Sequence, residues 1–302
     1  MIPQFPEFKK IELSDRADIE KFTSKYDPYS DFNFVEMWCW NLNNSMEISE
    51  LNGNLVIRPN DLFSNGFTLS YLGNNNLDST LDQLYNFLEK KRVEESKLCF
   101  VPEVSLLGID LKKYMIEIDI NNSDYVFDVI QLANYEGSNY SKKRIAYNNF
   151  IRHYADTKVS LLDTTQPNVQ SEILDLTRLW TSNKKKSGGS DNNDMEISAI
   201  VRFLDSNFKN IICVGATFKG NLISYMIFSL SPREYTICHF AKGDISFYGV
   251  YEYLMAESSK ILLKKGIKFM NHQEDLGLEG LRFSKNSYQP VNFLRAYTIT
   301  RL

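Results

Sequence analysis

Residues 211–243 read "IICVGATFKGNLISYMIFSLSPREYTICHFAKG" and contain three apolar runs separated by two turns. Lys219-Gly220-Asn221 turns the first run into the second, and Ser231-Pro232-Arg233 turns the second into the third. Runs rich in Ile, Val, Phe, Tyr and Thr between such turns read as strands. Short turns join antiparallel neighbours. The stretch therefore predicts three consecutive antiparallel strands.

What flanks them decides the fold. Downstream, a helix is expected from Val250 to about Lys265, stopped by Gly266 as a left-handed cap. "IKFMNHQED" follows as a strand, "GLEGLRFSKNSY" as a short helix and "NFLRAYTITR" as a last strand. Upstream, "NVQSEILDLTRLWTS" places Ile173, Leu176, Leu179 and Trp180 on one side of a helix. "NKKKSGGSDNND" reads as a mobile loop and "EISAIVRFLDS" as another helix. The order is helix, helix, three antiparallel strands, helix, strand, helix, strand.

The N-terminal half shows a looser version. Ser14 and Asp15 are caps for a helix from Arg16 to about Tyr26. "NFVEMWCWN" gathers Phe34, Met37, Trp38 and Trp40, either as a core seam or as a ligand-stacking surface. Alternation around Asn52-Gly53 predicts a hairpin. "FTLSYLG" and "KLCFVPE" read as strands on either side of a helix carrying Leu77, Leu81, Leu84 and Leu88. "YMIEIDI" and "DYVFDVIQLA" read as extended segments with a turn at "NNSD". Two α/β (α+β) domains of one architecture are expected, residues 1–130 and 131–302, with the active site in the second.

Composition bounds the function. Of 302 residues, 43% are hydrophobic and 24% charged, with 20 Phe and 17 Tyr, enough for a globular core in two domains. The net charge of −4 gives no global attraction to nucleic acid or anionic lipid, so either partner needs a local basic patch. Cys39, Cys99, Cys213 and Cys238 lie far apart among apolar neighbours and read as reduced thiols, with no metal-ligand spacing. The start, "MIPQFPEFKKIELSD", lacks a signal-peptide core, and "NLISYMIFSLSP" falls short of the roughly 20 apolar residues of a membrane span. A cytoplasmic chain without a membrane span is expected; peripheral membrane contact stays open. No P-loop, dinucleotide fingerprint or nucleophile elbow occurs.

One local basic patch exists. "GSNYSKKRIAYNNFIRHYA", residues 137–155, carries Lys142, Lys143, Arg144 and Arg152 and no acid. As a helix it buries Tyr147, Phe150, Ile151 and Tyr154, and sets Arg144, Asn148 and Arg152 on one polar stripe. Three of the cations crowd the helix start, where the dipole disfavours them by about 0.3–1 kcal/mol each. Two readings are open: an anion site built from cations and free backbone N–H groups, or a solvated face paired with carboxylates.

A second cluster closes the chain. His272, Glu274 and Asp275 stand at a predicted strand end, where catalytic groups gather in open α/β sheets. Glu274 or Asp275 suits a general base, and Asp275 equally suits a helix cap. Arg282 and Lys285 either face the same cleft or pair with Glu279. His239 on its strand suits proton transfer or a structural role, and Lys242 at the strand end suits a carboxylate or phosphate.

Three stretches carry a family resemblance: "YSDFNFVEMWCWN", "NYSKKRIAYNNF" and "NHQEDLGLEGLRFSKNSYQPV". From about residue 27 to 292 the chain resembles the bacterial family related to the C-terminal domain of phosphatidylglycerol lysyltransferase. The resemblance implies two tandem GNAT-like (acetyltransferase-type) domains. It also implies a transferase moving an aminoacyl group from tRNA to an acceptor amine or hydroxyl. Tyr248 and Gly249 occupy the place where GNAT proteins bind the donor phosphate. However, "DISFYGV" lacks the Arg/Gln-x-x-Gly-x-Gly/Ala signature that cradles CoA. Aminoacyl-tRNA or acyl-CoA is the implied donor, with no certain cofactor. The competing expectation is a catalytically silent GNAT-like module that binds a metabolite or a protein.

Overall fold

The computed structural model describes the chain except residues 60–66, 94–95, 187–192 and 232. Of the loop expected at 183–194, residues 187–192 fall outside the described residues, whereas 183–186 and 193–194 belong to the flanking helices. The chain divides into two compact units: Met1–Asp124 with Glu274–Leu278 and Phe293–Leu302, and Tyr125–Gln273 with Glu279–Asn292. Both are mixed α/β.

The first unit begins with β1 (Lys9–Lys10), α1 (Arg16–Thr23) and α2 (Phe34–Cys39), then β2 (Glu47–Leu51), β3 (Asn54–Arg58) and β4 (Ser70–Leu72). The strands β1 to β4 form an antiparallel sheet in that order. Asn52 and Gly53 both take positive φ in the β2–β3 hairpin, as an Asn-Gly turn requires. In α2, Phe34 and Met37 are buried and Trp38 and Trp40 half-buried, which makes the segment a core seam. Helix α3 (Leu77–Lys90) buries Leu81, Leu84, Tyr85 and Leu88 against Tyr71, Leu98 and Tyr114. β5 (Lys97–Pro102) meets the end of β4 in a parallel bridge, Leu69 to Leu98.

One strand replaces two expected segments. β6 runs unbroken from Tyr114 to Asp128, through the "NNSD" where a turn was expected. The turn-forming side chains bond within the strand instead: Asn122 and Ser123 to Asp119. The apolar run after it is not extended. Asp128 accepts from the backbone N–H groups of Ile130 and Gln131 and starts α4 (Val129–Asn134).

The second unit continues with α5 (Ser141–His153), β7 (Lys158–Leu161), α6 (Pro167–Lys186) and α7 (Asn193–Asp205). The meander follows as β8 (Ile211–Phe218), β9 (Asn221–Leu230) and β10 (Tyr235–Gly243), then α8 (Val250–Lys264), β11 (Phe269–Asn271) and α9 (Glu279–Asn286). Its strand order is the end of β6, then β11, β10, β9, β8, β7. β10 and β11 pair in parallel, whereas β6–β11, β9–β10, β8–β9 and β7–β8 are antiparallel. Gly266 ends α8 at φ +80°. The strand expected over 267–275 is shorter, because Gln273 and Leu276 turn left-handed. The last strand, β12 (Asn292–Arg301), returns to the first unit and pairs antiparallel with β5.

The helix start at 141–144 is held by packing. Phe150 stacks on Tyr253 of α8 at 4.3 Å and Tyr147 lies 5.8 Å from the same ring. Ala146 takes the buried place expected of Ile151, which is exposed.

Candidate functional site

One strand of the second unit outruns its neighbour. β10 pairs with β11 only from Tyr235 to Ile237, opposite Phe269 to Asn271, yet continues to Gly243. Its register with β9 skips His239, passing from Cys238–Phe228 to Phe240–Ile227. A bulge of this kind re-aims side chains and frees backbone groups. Where β11 stops, the Gln273 side chain takes over: its amide donates to the Cys238 carbonyl at 2.9 Å and the His239 carbonyl at 3.4 Å. Lys285, buried on α9, fixes that strand end by donating to the carbonyls of His272 at 2.5 Å and Gln273 at 3.0 Å.

The two histidines differ. His239 is buried and its Nε2 lies 2.7 Å from Ser229 Oγ. His272 stands edge-on to Phe127 at 6.0 Å. Burial and the positive charges of Lys285 and Lys242 push its imidazole down to about 3, so it stays neutral near pH 7.

Beyond the bulge, Lys242 is buried with its ammonium 2.9 Å from Glu196 of α7 and 4.1 Å from the ring centre of Trp180 on α6. Lys184, one turn along α6, lies 4.7 Å from the same ring. Burial pushes the Lys184 ammonium down, against the pull of Glu196. Tyr225, which faces Lys242 across β9–β10, is bonded to Thr177 at 2.7 Å. Tyr251 is bonded to Gly243 N at 3.1 Å, and burial holds its phenol up at about 12. The buried hydroxyls of Thr181 and Ser224 have no protein partner. A buried charge pair beside unpartnered hydroxyls is costly unless function requires it. Sequence did not single out Glu196, and showed Trp180 only on a helix face and Gln273 only inside a quoted motif; the fold brings them to β10.

The basic stretch divides into inward and outward groups. Lys143 bonds Glu252 at 3.1 Å and lies 3.6 Å from the Tyr288 ring centre; burial pushes its ammonium down. Arg144 donates to the carbonyls of Tyr135 and of Gly137, the latter at 3.0 Å. Lys142, Asn148 and Arg152 are exposed. Gly249 starts α8 at φ +84°, and a Cβ there would lie 2.4 Å from the Ala146 carbonyl oxygen. Helix α5 therefore sits against the turn that opens α8. Tyr248 is exposed and Arg282 is half-buried on α9.

Glu274 and Asp275 fall in the first unit. Asp275 is fully buried and accepts from Gly277 N at 2.8 Å, closing the turn before α9. Glu274 belongs to an acidic knot with Asp31, Asp119 and Asp124. Ser30 ties it together, bonding Asp124 through N–H at 2.8 Å and Oγ at 2.6 Å, and reaching Glu274 at 3.4 Å. Burial, then the charges of Glu274, Asp124, Asp119 and Glu36, hold the Asp31 carboxyl well above the usual range. Two of the quoted motifs, "YSDF" and "QEDLG", thus meet across the chain. Sequence signalled both motifs but not the contact. Among the described residues no group of His, Cys, Asp and Glu is disposed to hold a metal ion, and no helix is long and apolar enough to cross a membrane. The four cysteines are unbridged.

A helix pair, an antiparallel meander, a bulged strand and a parallel strand parting from it define a GNAT-like fold, and the molecule repeats that order in tandem. Residues 23–300 match the family model described as phosphatidylglycerol lysyltransferase, C-terminal. The chain belongs to that family. Its fold is similar to a conserved protein of unknown function from Bacteroides thetaiotaomicron, at 24% identity and TM-score 0.85 over 100% of both chains. The C-terminal domain of a putative lysylphosphatidylglycerol synthetase from Agrobacterium fabrum aligns at 11% identity and TM-score 0.63, over 96% of this chain and 92% of that one. L-PGS from Bacillus licheniformis aligns at 13% and 0.60, over 100% and 94%. No curated protein matches.

Proposed function

We propose that the chain is an acyl-group transferase that takes an aminoacyl group from aminoacyl-tRNA and places it on an amine or hydroxyl acceptor. The observation that carries this reading is the parting of β10 from β11 after Ile237, with a bulge at His239 and the buried Lys242–Glu196 pair further along the strand. The acyl carbonyl is placed where the two strands part, and polar groups aimed at it there would stabilise its oxyanion. The acceptor nitrogen or oxygen attacks the ester carbonyl. The tetrahedral intermediate then expels the ribose oxygen, which leaves with a proton. Lys242 offsets the developing negative charge. His239, fixed by Ser229, takes the acceptor's proton.

Family membership supports a transferase. The choice of donor rests on the Gly249 turn: α5 lies against it and the CoA signature is missing, which favours a donor other than acyl-CoA. The exposed Lys142 and Arg152 suit RNA phosphates. Incubating the protein with charged tRNA pools and a panel of amine and hydroxyl acceptors tests this. Acceptor-dependent discharge of one tRNA class is expected, weakening steeply with salt. Discharge at the buffer rate with every pool, alongside turnover of an acyl-CoA, would reverse the donor assignment; turnover of neither would leave a silent binding module.

A further inference from the structure

A cleft of about 510 Å³ lies at the junction of α4 and α5, away from β10, within the second unit. That volume is in the roughly 300–1,000 Å³ range of small-molecule sites. Its walls are built by chain geometry. Tyr135 and Gly137 both take positive φ, so the chain leaves α4 in a tight kink. Arg144 clamps the kink from behind through the two carbonyls already described. Tyr140 forms the floor, its hydroxyl donating to the Tyr288 carbonyl at 2.9 Å and to Gln131 Oε1 at 3.2 Å. Ile130 supplies an apolar wall.

The remaining lining is amide-rich: Asn134, Asn139 and Gln289, with Glu136 as the one charged side chain among the described lining residues. The side chains of Asn134, Glu136 and Asn139 are exposed and make no side-chain bond among the described residues. This chemistry disfavours an anion, since no cation lines the cleft. It suits a flat, neutral ligand with adjacent donors and acceptors on its edge and apolar faces. Asn and Gln amides read adenine edges, and a carboxylate accepts from the exocyclic amine of cytosine. Unstacked single-stranded bases are recognised in this way. Lys142, exposed in the first turn of α5, lies two residues beyond the lining Tyr140 and suits a neighbouring phosphate.

We infer that this cleft takes an unstacked adenine or cytosine of a nucleotide chain. The inference rests on the proposed donor: every tRNA ends in the unpaired sequence C-C-A, and one of those bases is the expected occupant. The cleft is then a specificity element outside the reacting centre.

Titrating AMP, CMP, UMP and ribose 5-phosphate into the ¹⁵N-labelled full chain, while following the Asn and Gln side-chain amides, tests it. AMP or CMP should shift the cleft amides saturably, with UMP at least about fivefold weaker and ribose 5-phosphate without effect. The variant Asn134→Ala/Asn139→Ala changes only exposed side chains and should weaken AMP about tenfold or more. Glu136→Gln should narrow the preference against UMP. Ribose 5-phosphate binding as well as AMP, no shift with any nucleotide, or an unaffected double variant would each overturn the inference. If AMP binds as expected but charged tRNA is never discharged, the donor reading alone falls. If discharge proceeds and the double variant leaves KM for charged tRNA unchanged, the cleft assignment alone falls.

Discussion

The two units repeat one order of elements but treat the strand-to-helix turn in opposite ways. In the first, the start of α3 is filled by the protein itself. Asn54, fully buried, donates to the Asn75 carbonyl at 2.8 Å and accepts from Asn75 N at 3.0 Å. Gly73 N donates to Ser105 Oγ at 3.0 Å. Tyr71, Tyr85 and Tyr114 belong to one closed core, in which the Tyr71 hydroxyl donates to the Ser105 carbonyl and the Tyr85 hydroxyl to the Ile299 carbonyl. In the second unit the end of β10 carries the buried Lys242, paired with Glu196. Satisfied polar groups make a sealed scaffold; costly ones mark where binding or chemistry repays their burial. On this difference we place the proposed transferase chemistry in the second unit.

The largest expected effect breaks the charged interior. Lys242→Met leaves Glu196 without its cation and should destabilise the protein by about 4 kcal/mol in urea denaturation. Lys242→Met/Glu196→Leu should recover most of that while remaining inactive. In the sealed unit, Tyr71→Phe should cost only about 1 kcal/mol, the net worth of one hydrogen bond.

Turn glycines form a graded series. Gly249→Ala drives Cβ to 2.4 Å from a backbone oxygen that cannot rotate away, so about 3 kcal/mol is expected. Gly73→Ala meets the Asn54 side-chain oxygen at 2.4 Å, and about 2 kcal/mol is expected. Gly220→Ala has the same kind of φ, +83°, with open space around it, and should cost about 1 kcal/mol. Equal costs at all three would show that φ alone, and not the plugged turn or the α5 contact, governs these positions.

Smaller effects come from pH. The Asp31 carboxyl holds its proton in the fold to higher pH than the ordinary value of 3.8. Folding therefore takes up a proton between those values, and stability falls as pH rises through the folded one. Asp31→Asn should flatten that fall in thermal melts. His272 acts on the other side: its folded value of about 3 lies below the ordinary 6.5, so stability falls as pH drops through that window. Its ring proton resonances should not move between about pH 8 and pH 5; a titration near 6.5 would show the imidazole to be solvated.

Much of this was legible in sequence, for identifiable reasons. The meander at 211–243, the Gly266 stop and the leucines of α3 follow from periodicity and turn chemistry, which are local. The "NNSD" turn failed because Asp119 satisfies its side chains inside a continuous strand. The basic stretch was visible as charge, but not that Lys143 and Arg144 turn inward to Glu252 and two carbonyls. Lys242 was singled out by position; Glu196 and Trp180 were not, because only tertiary packing gives them a role. The encounter of Ser30 with Glu274 spans most of the chain, and no local pattern encodes it.

The most direct test is the choice of donor. A non-hydrolysable 3′-aminoacylamino-adenosine and CoA should be titrated by calorimetry into the wild-type chain and into the Lys242→Met/Glu196→Leu variant, which keeps the fold. The account predicts that the adenosine analogue binds the wild type, loses affinity about tenfold or more in the variant, and outcompetes CoA. Binding of CoA alone, or analogue binding that ignores Lys242 and Glu196, would contradict it.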